Sequence, residues 1–222
     1  MPGLNQHELT RVDHVISIRR KVNRGTALFR DGESFAGLYA IRSGFFKACV
    51  QGKHGREQVT GFHMAGDVIG LDGIVNQHHA GEAVALEDAE ACILPFERVA
   101  QLSREVPALQ QLIHKMLSRE IVRKREVIVL LGGMRVEQRL ASFLWDMVQR
   151  LHRRGFSSSE LVLRMTREEI GSNIGVQIET VCRTFTRLAE ESIVEVNQRH
   201  VRILDTEALK DMARSRVYAA AN

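Results

Sequence analysis

The sequence predicts an α+β protein with an N-terminal antiparallel β-roll, a long helix and a C-terminal winged helix-turn-helix domain. Short apolar or alternating runs broken by glycine occupy residues from about 17 to 96, a pattern typical of a closed roll or jelly roll. Helical periodicity then continues without a breaker to Gly133. Another amphipathic helix, a short strand, two shorter helices and a hairpin pattern follow it. These changes of period predict domains at 1–106, 107–133 and 134–222.

The composition excludes several classes of protein. A chain of 222 residues that is 44% hydrophobic can bury one large or two small cores. It lacks a run of about 18 apolar residues, so we expect no membrane span. The polar, acid-containing N-terminus is unlike a signal peptide. Cys49, Cys92 and Cys182 are odd in number and far apart, which excludes a disulfide scaffold and suits a reducing cytoplasm. A net charge of +4 permits a polyanionic partner.

The long helix begins at Pro107, a residue favoured in a first turn. Residues spaced four, three, four and three apart form a heptad seam, which predicts that the helix pairs with a copy of itself. The alternative is an ordinary amphipathic helix that faces its own core. Lys124 within the seam would weaken the pairing or fix its register. The seam consists of Leu117, Ile121, Lys124, Ile128 and Leu131.

The C-terminal pattern predicts a helix-turn-helix followed by a wing. Thr166 is a suitable N-cap for a first helix that ends at Gly175. A second helix is predicted from about Gln177 to Glu191, and two short strands surround "NQRH". Helices joined by a short glycine-containing turn, with a hairpin beside them, are typical of a DNA-binding module.

The second helix carries side chains that suit a major groove. Arginine donates to guanine and glutamate accepts from cytosine, and Glu179 and Arg183 are four residues apart on one face. We expect Glu179 to orient the Arg183 guanidinium. The alternative is a solvated helix face with a weak intrahelical ion pair. The residues predicted to contact phosphate are Thr180, Thr184, Arg187, Arg199 and His200. Modules paired through the seam would meet major grooves about 34 Å apart on a palindrome.

Segments in the same order resemble the CRP/FNR transcription regulators, within their FNR-like branch. They include "GLYAIRSGFFKACV", "AVALEDAEACILPFE", "RLASFL" and "MTREEIGSNIGVQIETVCRTFTRL", and the resemblance extends from about Leu4 to Leu209. The most specific part is Glu179, Cys182 and Arg183 in the second helix. The resemblance implies a cyclic-nucleotide-binding-like roll, a homodimer, and base reading by these three residues in a TTGAT-like half-site. It also implies recruitment of RNA polymerase, as by an activator.

Two departures from the family pattern predict that the usual effectors are absent. Leu71 stands where the resemblance implies a ribose-binding glutamate, and Glu82-Ala83 where it implies the phosphate-binding arginine and serine. A carboxylate repels a phosphate, so we expect no cAMP. Cys92 resembles the roll ligand of an iron–sulfur cluster, but the N-terminal cysteines are absent, and one thiolate cannot hold a cluster. This leaves a truncated sensor or a paralogue that never carried the cluster.

The remaining cysteines and histidines give weaker expectations. We interpret Cys49 and Cys92 as small core residues. His63, His78 and His79 show no recognised ligand spacing, so we expect no metal site.

Cys182 stands where many relatives carry serine. Nearby arginines and the start of a helix favour a reactive thiolate, so we hypothesise that its oxidation switches off DNA binding. The alternative is that cysteine simply replaces serine. A thiol enzyme would need a general base and an oxyanion site beside Cys182 or Cys92, and the sequence offers no such motif. A roll that responds to a small effector is the remaining alternative.

Overall fold

The computed structural model describes residues 5–15, 18–52, 55 and 57–213. The chain divides into two compact units, Met1–Arg123 and Lys124–Asn222. Within the described ranges, no helix has the length and apolar character needed to cross a membrane.

The first unit contains the predicted antiparallel roll. Its strands are β1 Ile18–Val22, β2 Ala27–Phe29, β3 Leu38–Ser43, β4 Phe45–Gln51, β5 Glu57–Met64, β6 Val68–Ile69, β7 Glu82–Ala85 and β8 Ala89–Leu94. Across the described residues they form two four-stranded sheets, in the orders β1-β8-β3-β6 and β2-β7-β4-β5. The core lies between these sheets, where Leu28 and Phe46 of one meet Tyr39 and Ile69 of the other. Burying each such side chain contributes about 1.5–3 kcal/mol.

Helices complete the first unit, and the last of them continues into the second. They are α1 Gln6–Val15, α2 Gly73–Asn76, α3 Phe96–Glu105 and α4 Pro107–Gly133. The prediction of one continuous helix from Pro107 to Gly133 is confirmed, and the division between the two units falls within it. Helices α1 and α3 were not predicted from the sequence. Val12 of α1 packs against Leu102 of α3 and Leu109 of α4, so these short helices close a small apolar cluster of their own.

The second unit is a winged helix domain. Its elements are α5 Val136–His152, β9 Glu160–Val162, α6 Arg167–Ile174, α7 Ile178–Glu190, β10 Val194–Asn197, β11 His200–Ile203 and α8 Thr206–Ala213. The hairpin predicted around "NQRH" is confirmed, and β11 also pairs with β9, in the order β10-β11-β9. Helix α8 was not predicted. The core is formed by apolar side chains of α5, α7 and α8, including Leu144, Leu188 and Leu209.

Candidate nucleic-acid interface

The first helix of the helix-turn-helix begins with a capping box. The Thr166 hydroxyl accepts from the Glu169 backbone N–H at 3.1 Å, and the Glu169 carboxylate accepts from the Thr166 N–H at 2.7 Å. These bonds satisfy N–H groups that a helix start leaves without intrahelical partners. The predicted N-cap at Thr166 is therefore confirmed, and so is the helix end at Gly175, which has a left-handed φ of 70°.

The turn between α6 and α7 packs directly on the backbone of α6 at Gly171. The Val176 N–H donates to the Gly171 carbonyl at 2.9 Å. A Cβ on Gly171 would lie 2.6 Å from the Val176 carbonyl oxygen, closer than carbon and oxygen can approach. Gly171 therefore permits the contact that fixes the start of α7, a role that was not predicted from the sequence.

Helix α7 buries one face and exposes the other. Val181, Phe185 and Leu188 are buried, so the helix is anchored by apolar side chains at three- and four-residue spacing. Glu179, Cys182 and Arg183 are exposed on the opposite face. The structure therefore places the residues predicted to read bases together within about one turn on the outer side of α7.

The residue that orients the Arg183 guanidinium is Thr180, not Glu179 as expected from the sequence. The Arg183 Nη2 donates to the Thr180 hydroxyl at 3.3 Å, three residues earlier, and among the described residues no ion pair joins Arg183 to Glu179. Arg183 is thus aimed by a neutral hydroxyl, which leaves the Glu179 carboxylate available to another donor.

The predicted phosphate contact of Thr184 is corrected by its burial. Only 6% of Thr184 is exposed, and its hydroxyl donates to the Thr180 carbonyl at 2.7 Å. The sequence pattern contains the reason, because Thr184 lies three residues after Val181 and four before Leu188, both of which are buried. Helical geometry puts these positions on one face.

Arg187 is exposed, and carboxylates hold it on both sides. Its Nη1 lies 2.7 Å from Glu137 Oε1, and its Nε lies 3.0 Å from Glu191 Oε1. The hydrogen bond and charge of Glu191, followed by the charge of Glu137, raise the pKa of the guanidinium. Glu137 belongs to the first turn of α5, and no local pattern in the sequence predicts this long-range pair.

The wing presents Arg199 and His200 at its tip. Both side chains are exposed, and Gln198 between the strands has a left-handed φ of 54°. The Arg199 carbonyl accepts from the Leu163 N–H at 2.8 Å, which ties the tip to the segment after β9. Both residues are thus free to face a groove edge while the backbone beneath them is fixed.

Arg167 is a further cation at this surface that was not predicted from the sequence. Its guanidinium carbon lies 3.5 Å from the centre of the Phe185 ring, and its Nη2 donates to the Gln198 carbonyl at 3.3 Å. Arg167 therefore joins α6, α7 and the wing. Burial lowers the pKa of the guanidinium, whereas a negative charge on Cys182 would raise it.

The predicted seam residues share the exposed side of α4. The isoleucines are the most exposed, with 69% of Ile121 and 70% of Ile128 accessible. Apolar side chains at heptad spacing therefore remain uncovered in the single chain. The other exposed members of the set are Leu117, Lys124 and Leu131.

In the roll, Glu82 lies beside a buried thiol. Cys49 Sγ is 3.6 Å from Glu82 Oε1, and burial, aided by Glu57 and Glu82, raises the pKa of Cys49 to about 12. The potential metal-ligand atoms of Cys49, Glu57 and Glu82 lie within 4.8 Å of one another. Among the described residues, these three form the group whose side chains could together hold a metal ion. None of the three histidines considered above belongs to it. Cys92 is buried on β8.

Comparison with known proteins gives matches to both units. Residues 19–105 match the cyclic nucleotide-binding domain, and residues 138–212 match the Crp-like helix-turn-helix domain. The transcriptional regulatory protein btr of Bordetella pertussis is 40% identical over 210 residues, which cover 95% of this chain and 87% of that protein. The fumarate and nitrate reduction regulatory protein of Escherichia coli is 38% identical over 95% of this chain and 84% of its own length.

The fold is similar to that of FixK2 from Bradyrhizobium japonicum. The TM-score is 0.81 at 22% identity, and the match covers 89% of this chain and 98% of that chain.

Proposed function

Because the chain belongs to the CRP/FNR family of transcription regulators, we propose that this DNA-binding protein reads a palindromic TTGAT-like site as a homodimer. The observation that carries the proposal is the exposed group of Glu179, Cys182 and Arg183 on α7. Arg183 can donate to the guanine of the half-site, and Glu179 can accept from an exposed amino group on the opposite strand. The Thr180 hydroxyl holds the Arg183 guanidinium.

The proposed phosphate contacts surround this group. Thr180, Arg187, Arg199 and His200 lie on α7 and on the wing, and such contacts set the register without reading sequence. Arg187 must exchange its carboxylate partners for a phosphate on binding. Thr184 has no part in this proposal, because its hydroxyl is buried.

The proposed dimer forms through α4. Pairing would remove from water the exposed apolar seam that includes Ile121 and Ile128, and each buried Å² of apolar surface contributes about 25 cal/mol. Lys124 within the seam favours one register over others, as single polar seam residues do. RNA polymerase is the proposed partner of the bound dimer, which would then act as an activator.

We further propose that neither cAMP nor an iron–sulfur cluster is required. Glu82 would face the phosphate of a nucleotide, and the neutral Cys49 thiol beside it offers no compensating positive charge. An iron–sulfur cluster is held by several thiolates. Cys92 is buried on one sheet of the roll, Cys49 lies on the other sheet, and Cys182 lies in the second unit.

Oxidation of Cys182 is the proposed signal. In the reaction with peroxide, the sulfur attacks one oxygen, the O–O bond breaks, an S–O bond forms, and water leaves with the second oxygen. The sulfur loses two electrons, which reduce the peroxide. The product of this step is a sulfenic acid, and a second equivalent of peroxide oxidises it in the same way to a sulfinic acid with release of another water. Either group beside Glu179 and Arg183 would add bulk, and the sulfinate would also add negative charge, where the helix meets DNA.

A titration of the reduced, full-length protein on duplexes with TTGAT and ATCAA half-sites tests the proposal. No nucleotide or iron is added, the salt concentration is fixed because phosphate contacts make affinity salt-dependent, and a scrambled duplex is the reference. We expect specific binding that Glu179→Ala or Arg183→Ala weakens by about tenfold or more. Binding that does not distinguish the palindrome from the scrambled duplex contradicts the proposed site.

The redox part is tested separately with mild peroxide. Cys182→Ala should keep most of its affinity and lose sensitivity to peroxide, whereas Cys92→Ser, at a buried thiol, should behave as the unaltered protein does. If Cys182→Ala remains as sensitive as the unaltered protein, the gating hypothesis is rejected and the DNA-binding proposal stands unchanged.

A further inference from the structure

The Arg139 side chain in the first turn of α5 binds backbone carbonyls from three segments of the second unit. Its Nη2 donates to Leu131 at 3.0 Å in the last turn of α4, and its Nε donates to Met134 at 3.0 Å in the connection to α5. Its Nη1 donates to Ile174 at 3.2 Å, the last residue of α6. One planar group thus joins the end of α4 to the end of the first helix of the helix-turn-helix.

The Leu131 and Ile174 carbonyls are acceptors that the helix ends leave without intrahelical partners. Both α4 and α6 direct their C-terminal carbonyls, and hence the negative ends of their dipoles, towards the same guanidinium. The fork of donors in arginine matches several acceptors at fixed angles, which an ammonium group does not. Arg139 is half-buried, and its bonds to Met134 and Ile174 are partly shielded from water.

A second contact at the same place involves the seam itself. A Cβ on Gly175 would lie 2.6 Å from Leu131 Cδ2 and 3.5 Å from Arg139 Nη1. Leu131 is a residue of the exposed heptad seam, and Gly175 is the turn that precedes α7. The end of the seam therefore packs directly against the turn of the helix-turn-helix.

The position of α7 depends on this junction. The hydrogen bond from the Val176 N–H to the Gly171 carbonyl and the close approach at Gly171 fix α7 on α6. Whatever holds the end of α6 against the end of α4 thereby holds the recognition helix at a set angle to the C-terminal end of α4, which belongs to the same unit. Between successive half-sites on DNA, each added base pair shifts the target by about 3.4 Å and rotates it by about 35°.

We propose that Arg139 is a positioning residue that sets which half-site spacing the dimer accepts. The proposal rests on the proposed function, since it needs two recognition helices joined by the α4 seam. Arg139 contacts no base in this scheme. It acts through α4 and α6, so its loss would loosen the angle of α7 and leave the reading of each half-site intact.

The test compares the unaltered protein with Arg139→Gln, Arg139→Lys and Arg153→Gln. Arg153 is exposed at the other end of α5, so its replacement matches the loss of charge without touching the junction. Reduced, full-length proteins are titrated by fluorescence anisotropy on palindromes with the preferred spacer, with one base pair added or removed, and on a single half-site. Circular dichroism and thermal melting check folding.

We expect the unaltered protein and Arg153→Gln to lose roughly tenfold or more in affinity when the spacer changes, because both half-sites must be engaged together. The affinity of Arg139→Gln should fall by only about threefold or less when the spacer changes. This variant should bind the preferred palindrome more weakly than the unaltered protein does, and its affinity for a single half-site should stay within about twofold of the unaltered value. Arg139→Lys should fall between them.

An unchanged spacing preference in folded Arg139→Gln overturns the inference, since a residue that only stabilises the fold would lower the melting temperature without flattening that preference. If Arg139→Gln does not fold, Arg139→Lys decides by the same criterion. A lack of specific binding by the unaltered protein would instead refute the proposed function, and the two failures are therefore distinguishable.

Discussion

Arg187 of the recognition helix donates to Glu137 of α5, with Nη1 2.7 Å from Oε1. The residues are 50 positions apart in sequence, and Glu191 holds the same guanidinium through Nε. The positive charge of a side chain proposed to contact phosphate is thus compensated by two carboxylates in the free protein. DNA must displace carboxylates before Arg187 can bind it, and this exchange opposes association with DNA of any sequence.

Glu137→Gln should therefore strengthen DNA binding without improving discrimination. Removing the carboxylate releases Arg187, and exposed pairs of this kind have an effect of roughly two- to fivefold. We expect that increase on both the palindrome and a scrambled duplex, measured as Kd over a series of salt concentrations. Glu190→Gln is the matched control, because it removes the same charge from α7 but not a partner of Arg187.

A double-mutant cycle identifies the source of the effect. Arg187→Gln should weaken binding and lower the salt slope by about one, as the loss of one phosphate contact does. Glu137→Gln should then add little in the Arg187→Gln background. An undiminished gain in that background would mean that Glu137 acts by general repulsion of DNA rather than through Arg187.

The thiols should differ sharply in reactivity. Cys182 is exposed, whereas Cys49 and Cys92 are buried, and a thiol must be both accessible and ionised to react. An aromatic disulfide reagent at neutral pH should therefore label one thiol quickly in the folded protein and all three in denaturant. Cys182→Ala should abolish the fast phase. A fast phase that persists in this variant would place the reactive thiol elsewhere and remove the support for Cys182 as the sensor.

The buried thiol of Cys49 makes stability depend on alkaline pH. Burial, then the charges of Glu57 and Glu82, raise its pKa from the usual 9.0 to about 12 in the folded protein. Above pH 9 the unfolded chain loses this proton while the folded protein keeps it. The stability that comes from keeping the Cys49 thiol protonated in the folded protein is therefore complete below pH 9 and is lost as the pH rises towards 12.

Denaturant unfolding of the unaltered protein and of Cys49→Ala between pH 8 and pH 11 measures the effect. The unfolding free energy of the unaltered protein should fall more steeply, by up to about 1.4 kcal/mol per pH unit for one proton. Tyr39 titrates in the same direction, because burial raises its pKa as well, but it is present in both proteins. Parallel curves would show that Cys49 does not titrate between these limits.

The sequence was sufficient for the main architecture because strong local signals coincide with it. Glycine punctuation marks the roll, unbroken periodicity marks α4, and the capping box at Thr166 and Glu169 marks α6. Helices α1, α3 and α8 were missed because they are eight to ten residues long and carry few buried side chains. At that length a few apolar residues fit a strand or a loop equally well.

The site was predictable only where its residues are neighbours in sequence. Glu179, Cys182 and Arg183 follow from helical spacing, and the burial of Thr184 could have been read from the same periodicity. Arg139 contacts Ile174 across 35 positions, and Arg167 reaches Gln198 across 31. No local pattern reports such contacts, because they depend on how separate helices pack.

Gly171 and Gly132 provide a final prediction, since both are helical glycines in different surroundings. A Cβ at 171 would lie 2.6 Å from the Val176 carbonyl oxygen, a backbone atom of the turn, whereas one at 132 would meet nothing within 4 Å. Alanine usually stabilises a helix by about 0.5–1 kcal/mol relative to glycine. Gly132→Ala should therefore raise the unfolding free energy by about that amount. Gly171→Ala should lower it by about 1–3 kcal/mol, because the turn must move away.

The two substitutions also separate fold stability from DNA recognition. A shift of Val176 tilts the start of α7, so Gly171→Ala should weaken binding to the palindrome more than to a scrambled duplex, measured on protein confirmed to be folded. Gly132→Ala should leave that ratio unchanged. If both variants gained stability and kept the ratio, the close approach at Gly171 would not be what fixes the recognition helix, and the rigidity of the α6–α7 turn would need another origin.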